Sequence, residues 1–234
     1  MRYVIGLGML LATAVPGHAA ETTYSNRASF LSSLGGSFTD TYEPSLGYAS
    51  PAAAYTDAQI SAVVGQTKYH SITYPDYNGV GDLLFPRPSG QVYCAGCNGA
   101  FSLDFTSTSF GKGGVFGVGL DMVLNTNTAS FAPFSATVEF SDASSIVIPL
   151  TEVVDRLSPI FFGITSDKLI KSMTLAGPNP LPEAQQNGVF VMDNLTIGSP
   201  SAVPEPASWA MLITGFLVAG SAMRIRRVSP LPRR

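Results

Sequence analysis

Phe134-Ser-Ala-Thr-Val-Glu-Phe140 places an apolar residue at every second position without a fault. Successive side chains of an extended chain point to opposite faces, so this period of two predicts a strand with one face on a core and the other in water. Phe101-Ser-Leu-Asp-Phe105 repeats the pattern. Val115 to Leu124 and Pro159 to Ile164 are nearly continuously apolar, as strands covered on both faces are, and their glycines mark candidate bulges. Ser145 to Leu150, Lys168 to Leu175 and Val189 to Ile197 complete the set. About eight to ten strands separated by Gly, Asp and Asn turns predict an all-β domain, an antiparallel two-sheet sandwich that is jelly-roll-like.

Toward the N-terminus the period changes. Ser25-Asn26 offers a cap residue, and Phe30, Leu31 and Leu34 follow at helical spacing before Gly35-Gly36, which predicts one short N-terminal helix. Ser37 to Glu43 then alternates, with Phe38, Asp40 and Tyr42 on one face, and Pro44 ends it. Pro51 to Val64 fits strand and helix alike. Tyr69 to Tyr77 reads as strand and loop, and Phe85-Pro-Arg-Pro88 through Asn98-Gly99 as a long turn-rich connection.

The two ends of the chain are of a different kind. Arg2 precedes an apolar stretch from Tyr3 to Val15, followed by Pro16-Gly17 and small residues at Ala19 and Ala20, the order found in a secretory signal peptide; cleavage after Ala19 makes it residues 1–19. At the other end Ala207 to Met223 contains no charge, and as a helix it reaches roughly 25 Å, near the short limit for a transmembrane span. Trp209 suits one headgroup layer, and Arg224, Arg226 and Arg227 would hold the opposite end on the cytoplasmic side. Pro204 and Pro206 lack backbone donors and disfavour helix before them, so the approach to this segment is an extended tether.

Val203-Pro-Glu-Pro-Ala-Ser-Trp-Ala, the apolar run and the arginine cluster together resemble the sorting signal of PEP-CTERM proteins, the exported substrates of exosortases, in the variant Pro-Glu-Pro-x-x-Trp-Ala. The resemblance implies that residues 201–227 hold a precursor in the inner membrane through a transmembrane helix at 207–223. It implies that an exosortase recognises Pro204, Glu205 and Pro206, and that the body is delivered to the cell surface or extracellular matrix, where the family is associated with exopolysaccharide and biofilm. Residues 228–234 remain as a short cytoplasmic tail. A permanent single-helix anchor is the alternative reading of the same run.

Between the two ends, residues 20–200 form one ectodomain, enough chain for a single sizeable core. From Glu21 to Val203 there are seven Lys and Arg against fifteen Asp and Glu, a net charge of −8 where the whole chain carries −3. A phosphate backbone or anionic lipid surface is repelled on average, so no nucleic-acid partner is expected.

Within that body the chemistry-bearing residues are few. Val189, Val191, Asp193, Leu195 and Ile197 share a face under strict alternation, which puts a carboxylate among core residues; Asp40, between Phe38 and Tyr42, repeats the problem. Two readings remain open: a structural Ca²⁺ held by Asp40, Glu43 and Asp193, or a bulge or turn-capping role for each acid. Cys94-Ala-Gly-Cys97 is the only cysteine pair, and in an oxidising compartment it reads as a small disulfide. Zinc would need further ligands, and outside the signal peptide the chain has one histidine, His70. That single histidine and the lack of a Gly-x-Ser-x-Gly elbow argue against a serine triad. Asp76, Asp82, Asp104, Asp121 and Glu139 supply acids for a glycosidase pair, yet no spacing singles out two of them. Tyr69, Tyr74 and Tyr77 with Asp76 and Asn78, then Tyr93 and Asn98, set aromatic rings beside hydrogen-bonding groups, as a sugar-binding surface does; packing at the sandwich edge is the competing reading. Three classes follow: a non-catalytic glycan or matrix module, a purely structural surface protein, and a carbohydrate-active enzyme.

Overall fold

The computed structural model describes residues 20–49, 53–72, 82–87, 90–95, 100–124, 134–150, 159–176, 190–201 and 206–226. In chain order the elements are β1 (Glu21–Tyr24), α1 (Arg27–Ser32), β2 (Leu34–Asp40), a 3-10 turn (Pro44–Leu46), β3 (Ala54–Tyr55), α2 (Asp57–Val64), β4 (Lys68–Ser71), β5 (Asp82–Arg87), β6 (Gly90–Ala95), β7 (Phe101–Asp104), β8 (Ser107–Thr108), β9 (Gly111–Lys112), β10 (Val115–Leu124), β11 (Phe134–Phe140), β12 (Ser145–Leu150), β13 (Ile160–Ala176), β14 (Phe190–Pro200) and α3 (Pro206–Arg226). The expected signal peptide, residues 1–19, lies outside the described residues.

β13 is the strand on which the sheet turns. Its first half pairs with β1 and β10, and its second half with β7 and β11. β14 likewise pairs with β10, β2 and β6. All these pairings are antiparallel, and they join twelve strands into one curled sheet, with β8 and β9 as a separate two-stranded ribbon. The antiparallel all-β expectation is therefore met, while the strands form one continuous sheet instead of two separate ones, because 160–164 and 168–175 are a single 17-residue strand.

Alternation supplies the inner face. Phe101, Leu103, Ala136, Val138, Phe140, Leu120, Met122, Met173 and Leu175 are buried in one cluster, and their odd-numbered or even-numbered neighbours point away. Residues 161–166 of β13 are buried without a break. The outer face there is covered by α1, whose Phe30 is fully buried. A Cβ at Gly117 or Gly119 would come within 3.2 or 2.7 Å of the Phe30 ring, so these glycines in β10 are the floor on which α1 rests.

The short helix forms, with the Asn26 side chain accepting from Ser29 N–H at 3.0 Å, but it ends at Ser32, and Leu34, Gly35 and Gly36 open β2. A second helix, α2, resolves the ambiguous stretch before Val64. Thr56 and Gln59 make a reciprocal capping box at its start, and Gly65 ends it in the left-handed region at φ 72°. The expected turn-rich connection after Phe85 contains instead a hairpin, β5 with β6. Among the described residues β3 pairs with β5 at Asp82 and Leu83, and Pro86 lies past that pairing.

The chain separates into two compact units, residues 1–200 and 201–234. In the second, α3 is a 21-residue helix whose side chains from 210 to 220 are exposed, among them Met211, Ile213, Phe216 and Val218. Among the described residues no helix is long and apolar enough to cross a membrane. Thr214, Gly215, Gly220 and Ser221 dilute the run, and the spanning role of 207–223 rests on the sequence.

Candidate functional site

Three carboxyl groups are buried, two of them, Asp40 and Asp193, at positions that sequence alternation puts in the core, and each is managed differently. Asp40, 2 % exposed, ends β2 opposite Leu195. Its Oδ2 accepts from the Tyr48 hydroxyl at 2.6 Å and the Tyr69 hydroxyl at 3.2 Å, and its Oδ1 from Tyr42 N–H at 3.1 Å. Tyr42 adopts φ 57°, which folds the chain back so that its amide reaches the acid two residues earlier. Burial pushes the Asp40 carboxyl up, and these three donors pull it back.

The same tyrosines build an aromatic cluster. Tyr42 stacks on Tyr93 at 5.7 Å between centroids, Tyr69 meets Tyr93 at 5.0 Å, and Tyr93 meets Phe101 at 5.4 Å. Burial pushes the Tyr42, Tyr69 and Tyr93 hydroxyls up, so they stay protonated and serve as donors.

Across this cluster lies Asp82, at the start of β5 and fully buried. Its Oδ1 accepts from the Tyr93 hydroxyl and from Ser71 Oγ at 3.2 Å, whereas its Oδ2 has no hydrogen-bond partner. The neighbouring side chain is Asp57, in the first turn of α2. Asp57 accepts from Ser71 N–H at 3.2 Å and lies 2.9 Å from His70 Nδ1. Burial first, and then the Asp57 carboxylate, push Asp82 up to about 7 against the Tyr93 and Ser71 hydrogen bonds. Asp57 and His70 open onto a cleft of 510 Å³ that Ser61, Lys68, Asp104 and Ser107 also line.

Asp193 is the third. It faces Asp121 across β10 and β14, where the register shifts between Gly119 and Asp121. Asn194 at φ 52° breaks the alternation of β14, so the bulge reading of this strand describes what forms. Asn194 Nδ2 donates to Asp121 at 2.9 Å, and Arg27 of α1 reaches the same carboxylate at 3.0 Å. Arg27 also donates to Thr196 Oγ1 and to the Asn194 carbonyl, and lies 4.7 Å above the Phe161 ring. Burial, then the charges of Asp121 and Glu43, raise Asp193 to about 6, while Asn194 N–H and Arg27 oppose them.

The residues singled out in the sequence fall as follows. Tyr69 and Tyr93 are 4 % and 0 % exposed, which corrects their assignment to a sugar-stacking surface: their rings fill the core and their hydroxyls serve Asp40 and Asp82. Tyr74, Tyr77 and Asp76 lie outside the described residues. Asp40, Glu43 and Asp193 are not drawn into one cage. Asp40 is surrounded by donors, Glu43 accepts from Gln91 N–H at 2.8 Å, and among the described residues no group of three His, Cys, Asp or Glu could hold a metal ion. Of the remaining acids, Asp104 accepts from Thr106, and Glu139 pairs with Lys171 on an exposed face. Cys94 is fully buried and disulfide-bonded, and Cys97, the partner expected from the sequence, lies outside the described residues. Of the sorting motif, Pro206, Trp209, Arg224 and Arg226 fall within α3, and Pro204, Glu205 and Arg227 lie outside the described residues.

Sequence reasoning passed over Asp57 and Arg27. Thr56-Asp-Ala-Gln59 is a capping-box sequence that would have placed Asp57 in a helix's first turn. Arg27 had the scarcity of cations in the acidic body as its only signal. No family model, no curated protein and no solved structure matches the chain.

Proposed function

We propose that the chain is an exported protein whose two apolar ends direct and anchor a precursor, and whose acidic β-rich body serves as a non-catalytic module of the cell surface or extracellular matrix. The observation that carries this reading is the C-terminal order of Pro204-Glu205-Pro206, Trp209, an uncharged run and the arginines 224, 226 and 227. Two features support it. α3 exposes apolar side chains from 210 to 220, and a helix apolar on all sides needs lipid or protein around it. The Cys94 disulfide suits an oxidising compartment outside the cytoplasm.

In this account residues 1–19 are removed on export and residues 207–223 span the inner membrane. An exosortase then acts at the Pro-Glu-Pro tether, and residues 20–200 remain among exopolysaccharide. The curled sheet is read as a jelly-roll-like sandwich in which β13 carries the chain from one layer to the other, a corner of the kind that bent strands make. A matrix role needs a stable, protease-resistant body more than it needs a catalytic constellation. Replacing Pro204, Glu205 and Pro206 by alanine tests the reading. Full-length precursor should accumulate in the membrane fraction of an exosortase-bearing host, and undiminished release of the body would refute it.

A further inference from the structure

Two ionised carboxylates carry four acceptor oxygens and no hydrogen, so they repel when they touch. Asp57 and Asp82 are nevertheless neighbours that share Ser71, one of them fully buried with an oxygen that meets no donor. A proton on Asp82 Oδ2 removes both anomalies at once, because a carboxylic acid donates where a carboxylate cannot. We propose that Asp82 carries that proton and donates it in a hydrogen bond to Asp57, forming a proton-dependent latch that fastens the first turn of α2 to β4 and β5 beside the 510 Å³ cleft.

Each element packed here contributes to the latch. Ser71 of β4 bridges the two acids, giving its N–H to Asp57 and its hydroxyl to Asp82. His70 holds the outer side of Asp57, and Tyr93 of β6 holds the inner oxygen of Asp82. Tyr55 of β3 is the cross-strand neighbour of Asp82, and Lys68 and Asp104 are the other charged groups lining the cleft. Loss of the Oδ2 proton to water leaves two like charges side by side and one of them without solvent, with no cation among the described residues that bond to Asp82. Separation of α2 from β5 relieves both, and that motion opens the cleft wall that carries Asp57 and Ser61. The sign follows from linkage. In the open state Asp82 ionises with its ordinary pKa near 3.8, and in the closed state it holds its proton to about pH 7. Opening therefore becomes easier as pH rises between those values and levels off above them.

Hydrogen exchange by mass spectrometry on the full chain in mild detergent reads this directly, after correction for the intrinsic pH dependence of exchange. The opening constant of peptides covering α2 should rise roughly tenfold per pH unit between pH 5 and 7, then flatten. D82N keeps a donor toward Asp57 but no titrating proton, and its α2 exchange should be independent of pH. D57N removes the repelling partner and should flatten the profile as well, so the comparison survives if one variant fails to fold. A wild-type opening constant that does not change with pH, or the same slope in wild type and in whichever variant folds, overturns the latch.

Discussion

Tyr48→Phe removes one hydroxyl and no carbon, which makes it a clean probe of how the buried Asp40 is kept. The lost donor is the shortest of the three on that carboxyl group, 2.6 Å against 3.1 and 3.2 Å for Tyr42 N–H and the Tyr69 hydroxyl. A hydrogen bond to a charged group contributes about 1.5–3 kcal/mol, and at 2 % exposure no water replaces it. We therefore expect a loss of about 2 kcal/mol near pH 7, or roughly 5 °C in Tm for a body of this size. The loss should be smaller at pH 5. Burial raises the folded pKa of Asp40, and stability from such a group is present at low pH and lost as pH rises through the folded value; removing the Tyr48 hydroxyl raises that value further. Urea unfolding of the full chain in detergent, followed by near-ultraviolet circular dichroism, gives both numbers. A double-mutant cycle with Asp40→Asn isolates the pair. A cost below about 0.5 kcal/mol at pH 7, or additive effects in the cycle, would refute the claim that Tyr48 holds this acid.

Raising the pH from 5 to 8 should destabilise the body, and Asp193→Asn should recover part of the loss; of the shift from 3.8 to about 6 only about one unit lies above pH 5, which sets an upper scale of about 1.4 kcal/mol, read by urea midpoints at both pH values. Gly119→Ala should cost about 1–3 kcal/mol and loosen α1, because the new methyl would lie 2.7 Å from the Phe30 ring and 2.8 Å from Phe161; unchanged exchange of α1 amides would contradict the seat described here. Reduction of the Cys94 disulfide should lower stability by about 2 kcal/mol, the loop-entropy value for so short a ring, with no change in the far-ultraviolet spectrum.

What the sequence announced best were the half-buried strands. β10, β11 and β12 begin and end where alternation or apolar continuity says they should, because a two-residue period against one core leaves no other register. A cap at the start of α1 was equally legible, and the structure gives that role to Asn26. The union of two expected strands into β13 was not, since Thr165, Ser166 and Asp167 look like a turn, and the pairing of Thr165 with β1 and β10 and of Ser166 with β1 carries the strand into it. The tyrosines show a deeper limit. A tyrosine among polar residues reads the same whether its ring faces solvent or its hydroxyl reaches inward, and only the buried carboxyls at Asp40 and Asp82 decide between the two. Asp40 and Tyr69 lie 29 residues apart on β2 and β4, beyond any local window, whereas Asp82 meets Tyr93 because a stretch that reads as a turn-rich connection folds as the β5–β6 hairpin.

The mass of the mature protein, recovered from the host's surface or medium, tests the central claim most directly because it reports both ends of the chain together. The account predicts a species that starts at Ala20 and lacks the α3 segment with its arginines. A mass equal to the intact 24.6 kDa chain, Met1 through Arg234, would contradict it.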